Sequence, residues 1–326
     1  MSDRHAPSHA LDAEQLERLR RFDPIAVEDA LAIRVQRPLL GADGRLLLVA
    51  ADHPARGALG VRGEPMAMAD RTDLLGRLVT ALAVPGVDGV LATPDIVEDL
   101  ALLGALDDKV VVGSMNRGGL RGAAFEMDDR FTAYDVDGIV RHRLDMAKTL
   151  LRINLGDPST ARTLGSTSEV VTVAARARVP IMLEPFMSDW VDGRIVNDLS
   201  TEAVITSVAI ASGLGSSSAY TWLKLPVVDG MERVMEATTL PTLVLGGDPG
   251  PGDDVFERWA AAIALPGVRG LVAGRSLLYP GDGDVVGAVM RAAALVHPAA
   301  ATLPLPHPDP QPLGALTAHD RIERVR

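Results

Sequence analysis

The 326-residue chain holds 32 lysines and arginines, of which only three, Lys109, Lys148 and Lys224, are lysine. Arginine fills nearly every place that needs only a surface cation. A lysine among so many arginines suggests a need for an amine that can lose its proton, which a guanidinium cannot do. Lys224 has the most suggestive setting: it lies near the end of Tyr220-Thr221-Trp222-Leu223-Lys224-Leu225-Pro226, an apolar stretch rich in strand formers and closed by proline. In low-dielectric surroundings an amine tends to the neutral form, can add to a carbonyl and can form an iminium, an electron sink for making or breaking a C–C bond. The plainer alternative is a lysine that reaches solvent or pairs with Glu184.

Asp52 and His53 directly follow the apolar run Leu46-Leu47-Leu48-Val49-Ala50-Ala51, and Glu184 sits in Pro180-Ile181-Met182-Leu183-Glu184-Pro185. Each has two readings. Asp52 could transfer a proton or orient a hydroxyl, or it could cap a helix; Glu184 could be a general acid/base or the counter-ion of Lys224; His53 could meet substrate or close a turn. Gly246-Gly247 and Gly274-Arg275-Ser276 are the most specific local signal. Glycines let backbone N–H groups approach a phosphate, a helix opening near Ser276 would point its positive end there, and Arg275 would add a clamp. Ordinary turns also call for glycine, so it is the joint position of the two that favours phosphate. Arg152 and Asn154, with Thr93, Asp95, Ser114, Asn116, Arg117, Asp157 and Asp248, complete the polar residues that follow apolar runs.

The elements that would position these groups repeat one grammar. Eight strand-length apolar runs, at residues 46–51, 89–93, 109–113, 148–155, 180–185, 220–226, 242–247 and 270–274, alternate with helical stretches. Runs apolar on both faces imply strands buried on both sides. Eight such units over about 250 residues are the arithmetic of an α/β fold of the (β/α)₈ TIM-barrel type, whose active site lies where the strands end. A doubly wound open sheet is the runner-up, but no strand–GxGxxG–helix unit supports it. Residues 1–44 are expected to form an N-terminal helical extension, 45–295 the catalytic barrel, and the Pro- and Ala-rich stretch 296–326 a partly disordered tail. Alternation puts Tyr220, Trp222 and Lys224 on the barrel-facing side. Lys148 precedes Asn154 by about 20 Å of extended strand, which predicts a place at the inert end of the barrel.

A net charge of −11 argues against nucleic-acid or membrane-surface partners, so any anion site must be local. Without cysteine there is no thiolate chemistry, and of seven histidines only His53 falls at a strand end, which argues against a His-rich zinc site. No cofactor and no metal is expected, although Mg²⁺ held by Asp52, Glu184 or Asp157 stays open. No signal-peptide or membrane-spanning run occurs, and a cytoplasmic homo-oligomer is expected.

Asp52-His53, Lys224 within LKLP, Gly246-Gly247 and Gly274-Arg275-Ser276 together resemble the class I (Schiff-base) aldolase superfamily, which includes deoxyribose-phosphate, archaeal-type fructose-bisphosphate and tagatose-bisphosphate aldolases. The resemblance spans about residues 45–295, and Lys224 matches the Schiff-base lysine by position. The phrases MLEPFM, YTWLKLPVV and GRSLLYP are similar to those of an actinobacterial group of aldolase-like barrels. Arg152 and Asn154 stand where archaeal-type enzymes place a tyrosine acid, and the seventh strand lacks the second lysine of deoxyribose-phosphate aldolases. KTLLRIN, which contains Lys148, is similar to a segment of tagatose-bisphosphate aldolases. The resemblance implies a lyase whose Lys224 attacks a phosphorylated sugar or sugar acid, such as deoxyketogluconate phosphate, deoxyribose phosphate or a ketose bisphosphate. Asp52 or Glu184 would move protons, and Gly246, Gly247, Gly274, Arg275, Ser276, Arg152, Asn154 and His53 would bind substrate or its phosphate. The alternatives are a metal-dependent lyase or phosphosugar isomerase without a Schiff base, and a non-catalytic barrel that binds a phosphometabolite.

Overall fold

A computed structural model describes residues 13–116, 119–247 and 255–298. Nine strands form one sheet: β1 (Leu46–Ala50), β2 (Gly89–Ala92), β3 (Val110–Ser114), β4 (Met146–Ile153), β5 (Ile181–Val191), β6 (Arg194–Asn197), β7 (Thr221–Leu225), β8 (Thr242–Leu245) and β9 (Val268–Ala273). All pairings are parallel except that of β5 with β6, and pairing of β4 with β5 closes the ring. The closed part has eight strands with helices outside, a (β/α)₈ TIM barrel. All eight expected strands are present.

Alternation of side chains along each strand divides the core in two. One set faces the helices, among them Leu47, Val49, Val90, Val111 and Leu223. The other fills the barrel and includes Leu46, Leu48, Met146, Met182, Trp222 and Leu243. Trp222 is therefore inside, where Ala50, Val110, Val112 and Val272 share its cluster and leave room for the indole.

The N-terminal segment forms two helices, α1 (Ala13–Phe22) and α2 (Ile25–Ile33), and is fixed to the body by arginines. Arg20 pairs with Asp99 at 2.5 Å and Glu98 at 3.2 Å. Arg34, 3% exposed, donates to the carbonyl of Lys109 and pairs with Asp145 beneath β3 and β4. Leu39 packs against the interior cluster. This segment thus covers the end of the barrel opposite the strand C-termini.

β5 outruns the expected strand by six residues and turns back as β6. Pro185 does not stop it, because pairing with β7 has already ended at Leu183. Among the described residues no helix is long and apolar enough to cross a membrane. Beyond residue 298 the expected tail lies outside the described residues, as do Arg117 and Asp248.

Candidate active site

Asp52, Lys148, Glu184 and Lys224 converge where the barrel strands end. Asp52 follows β1, and the other three are inward-facing residues of β4, β5 and β7. Lys224 Nζ lies 2.7 Å from Glu184 Oε1, and Lys148 Nζ lies 2.5 Å from Glu184 Oε2 and 3.1 Å from Asp52 Oδ2. Ser114 Oγ donates to the same oxygen of Asp52 at 3.1 Å. All five residues are buried. Asp52 is thus engaged by Lys148 and Ser114.

The expectation that Lys148 sits at the inert end is incorrect. Lys148 pairs with Ser114, the last residue of β3, while β4 continues to Ile153. β4 overshoots β3 by five residues beyond Lys148, so distance along β4 from Asn154 does not give depth in the barrel, which is set by register between strands.

Burial alone would raise the Glu184 carboxyl, but the charges of Lys148 and Lys224 outweigh it and the opposing charge of Asp52, bringing it down to about 2. His53 is held neutral, its pKa lowered to about 3 by burial and by the charges of Arg275, Lys224 and Arg56, against the pull of Asp52. Its buried Nδ1 stands 3.8 Å from Asp52 Oδ1, beyond hydrogen-bond reach.

These groups line a cavity of about 490 Å³ together with Gly246, Gly247, Gly274 and Arg275. Gly274 permits close contact: a Cβ there would stand 2.1 Å from the Ala50 carbonyl oxygen and 3.3 Å from His53 Cε1. Gly247 has φ of 66°, in the left-handed region that favours glycine. The Gly246 N–H already bonds the Val272 carbonyl at 3.0 Å, so that residue serves by closeness to Ala273, not by offering a donor. The helix after Gly274 (Arg275–Leu278) is a single turn, so its dipole is small. Ser276 is buried and does not line the cavity.

Arg152 reaches the cavity wall, but its guanidinium is bound to Asp129 Oδ1 at 2.6 Å, to Glu126 Oε1 at 3.4 Å and to the Glu126 carbonyl. It anchors the loop that follows β3. Asn154 lies outside the cavity, where its amide donates to Asp189 on the β5–β6 hairpin and its Oδ1 accepts from Gly156. Asp157 accepts from the Trp190 indole at 3.2 Å and also helps hold the hairpin. Residues not singled out from the sequence complete the wall: Arg56, Arg121 and Arg258, and the apolar Phe186, Ile195 and Leu199. The scarcity of lysine was itself a signal for Lys148; the arginines lie on loops and a helix whose approach to the mouth has no local signature. Asp52 and Glu184 each accept an ammonium, and among the described residues no group of three His, Asp or Glu is arranged for a metal.

The Cgl0159-like family profile matches residues 44–293. The crystal structure of Cgl0159 from Corynebacterium glutamicum is 62% identical, with TM-score 0.86, covering 88% of this chain and 97% of that one. Two aldolase structures share the fold at low identity. One is an archaeal fructose-1,6-bisphosphate aldolase whose catalytic lysine is covalently bound to the carbinolamine intermediate of its substrate (20% identity, TM-score 0.58, 83% and 98% covered). The other is a fructose-bisphosphate aldolase from Slackia heliotrinireducens (13%, TM-score 0.60, 90% of each). No protein of curated function matches the sequence. With 250 residues matched by the profile and a relative of such identity across most of its length, the chain belongs to the Cgl0159-like family.

Proposed function

We propose that the protein is a class I aldolase, a carbon–carbon lyase that forms an iminium on Lys224 with a phosphorylated sugar or sugar acid. The observation that carries this reading is the pair of buried lysines sharing Glu184 at the mouth of an aldolase-type barrel. Lys148 is held by two carboxylates and Lys224 by one, which leaves Lys224 the freer to turn toward a carbonyl.

In the cleavage direction, Lys224 passes its ammonium proton to Glu184, 2.7 Å away, as its nitrogen adds to the ketone carbon and gives a carbinolamine. Loss of water gives the iminium. Glu184 is a poor proton acceptor at rest because two cations depress its pKa. Once the Lys224 nitrogen is uncharged in the carbinolamine, one of those cations is gone. The proton affinity of Glu184 then rises at the step where the departing hydroxyl needs a proton. Asp52 accepts the proton of the hydroxyl on the carbon β to the iminium carbon, that oxygen forms the carbonyl of the departing aldehyde, the bond between the α and β carbons breaks, and its electron pair moves into the enamine. Protonation of the enamine and hydrolysis release the second product and restore Lys224. Gly247, Gly274 and Arg275 hold the phosphate.

The test is reduction with borohydride in the presence of dihydroxyacetone phosphate and candidate sugar phosphates, read by intact mass and peptide mapping. A covalent increment on Lys224 that disappears in Lys224→Ala is the expected result. An increment on Lys148 instead, or none with any substrate that is cleaved, would overturn the assignment.

A further inference from the structure

The β5–β6 hairpin carries the sheet beyond the closed ring, and β6 ends the strand order: among the described residues it pairs with β5 alone. A strand with one unpaired edge is a template for another strand, and proteins commonly blunt it with proline, a bulge or a cover. β6 has the sequence Arg194-Ile195-Val196-Asn197, with no proline and no register shift against β5. The hairpin is held ready: Asn154 donates to Asp189, the Trp190 indole donates to Asp157, and Ser188 Oγ donates to Asn197 Oδ1 at 2.8 Å.

Hydrogen-bond parity shows which main-chain groups face outward. The Asp198 N–H donates to the Met187 carbonyl at 2.8 Å, in the register that sets Asp189 opposite Val196 and Val191 opposite Arg194. Every second pair of an antiparallel ladder exchanges hydrogen bonds. Arg194, Val196 and Asp198 therefore turn their N–H and C=O groups toward β5, and Ile195 and Asn197 turn theirs away. The turn residues Asp192 and Gly193, with φ of 49° and 73°, form the two-residue connection that such a closing pair takes. Side chains divide with the same period: Asp189, Val191, Arg194, Val196 and Asp198 are exposed on one face, while Ile195 and Asn197 point the other way and line the cavity.

A second copy of the same strand fits this edge in one register. Antiparallel pairing about a two-fold axis must set outward-facing groups against outward-facing groups, which leaves axes through Ile195, Val196 or Asn197. An axis through Ile195 opposes Arg194 to Val196 of the second copy, and one through Asn197 opposes it to Ser200. The axis through Val196 opposes Arg194 to Asp198 of the second copy, twice by symmetry, and packs Val196 on Val196. Within one chain Arg194 and Asp198 are about 13 Å apart along the strand, too far to pair with each other. Asp198 Oδ1 accepts the Ser200 N–H at 2.8 Å, which sets its carboxylate in place. Val191, Val196, Leu199 and Leu155 are all exposed at this corner, apolar surface that a partner would cover.

We propose that two copies of the chain associate through β6, antiparallel about Val196, so that the two hairpins form one four-stranded ribbon. Ile195 and Asn197 then bond the partner through their main chains while their side chains line the cavity, and association fixes one wall of the site. The interface needs nothing of the aldolase reading.

The test joins sedimentation with cross-linking. The wild-type protein is expected to sediment as two chains or an even multiple. Arg194→Asp sets two carboxylates against each other in both pairs and should raise the dissociation constant at least about tenfold, as should Asp198→Arg, which opposes two cations. Combining the two reverses both charges and should restore most of the affinity. The chain has no cysteine, so single thiols report the register directly. Across a pair that exchanges no hydrogen bonds the Cα atoms stand about 4.5 Å apart, within disulfide reach, and Val196→Cys should give a disulfide-linked dimer on mild oxidation. Val191→Cys, as exposed as Val196 on the same face, would lie at least about 14 Å from its counterpart across three strand spacings and should stay unlinked. A wild-type protein that sediments as one chain throughout a concentration series, a charge swap no tighter than either single variant, or Val191→Cys linking as readily as Val196→Cys would overturn the proposal.

Discussion

Lys148 and Lys224 hold the two oxygens of one carboxylate, Glu184, at 2.5 and 2.7 Å. The arrangement makes Glu184 the residue on which both amines depend. Replacing Glu184 by Gln leaves two buried ammonium groups with Asp52 as their remaining anionic partner in the cluster. A loss of about 3–5 kcal/mol is expected in denaturant unfolding, as for other broken buried pairs. Adding Lys148→Met to Glu184→Gln should recover part of it, because one uncompensated charge is then removed. A double variant no more stable than the single one would show that the pairing is not what Glu184 contributes.

Arg152 separates a structural from a binding role. Its substitution by Met strands Asp129 and Glu126, buried carboxylates that face it. The expected loss is about 3–5 kcal/mol, and Arg152→Lys should recover little, since an ammonium cannot reproduce the forked contacts to Asp129. A variant of unchanged stability with a raised substrate KM would instead return Arg152 to direct phosphate binding.

What the sequence disclosed and what it hid follow from the same distinction between local and long-range information. Eight strands were legible because each is apolar on both faces and bounded by turn residues. Lys224 and Asp52 were legible because they end such runs. Lys148 was misplaced because its depth depends on pairing with Ser114, which no count along β4 supplies. The partners of Arg152 lie 23 and 26 residues earlier in the chain, in a loop with no periodicity, so residue type alone suggested an anion site. The hairpin was hidden by Pro185, which reads locally as a stop and is harmless where β7 no longer pairs.

Gly274 is the turn residue least able to accept a side chain. Its Cβ would meet the backbone of Ala50, which cannot rotate away as a side chain could. Gly274→Ala should therefore push β9 from β1 at the mouth, with a loss of about 1–3 kcal/mol and weaker binding of phosphorylated ligands. Gly247→Ala, where no described residue lies within 4 Å, should cost mainly the strain of its φ of 66°. Equal effects from the two, measured by thermal unfolding and by Kd for glucitol 6-phosphate, would contradict the close-contact argument.

Two histidines give the stability profile opposite slopes. His297 bonds Asp43 through Nδ1 at 2.5 Å and Asp88 through Nε2 at 2.8 Å, and its pKa is raised because these contacts outweigh burial. A raised folded-state pKa means stability that is complete below the unfolded value of about 6.5 and is lost as pH rises through the folded value. His53 is the reverse case. Its folded pKa of about 3 means that the unfolded chain takes up a proton that the folded chain refuses, so stability declines as pH falls from about 6.5 toward 3. Glu184, lowered from 4.5 to about 2, adds to that decline only below about pH 4.5. In a series of melting temperatures, His297→Asn should flatten the profile above pH 6.5 and, because Asp43 then loses a partner that lowers its pKa, also weaken the decline below about pH 4, while leaving the stretch between pH 4.5 and 6.5 to His53. His53→Gln should flatten the stretch between pH 6.5 and 4.5, where Glu184 does not yet titrate. A wild-type profile that is level between pH 4.5 and 6.5, or a His53→Gln profile that declines there as steeply as the wild type, would rule out a neutral His53 in the folded protein.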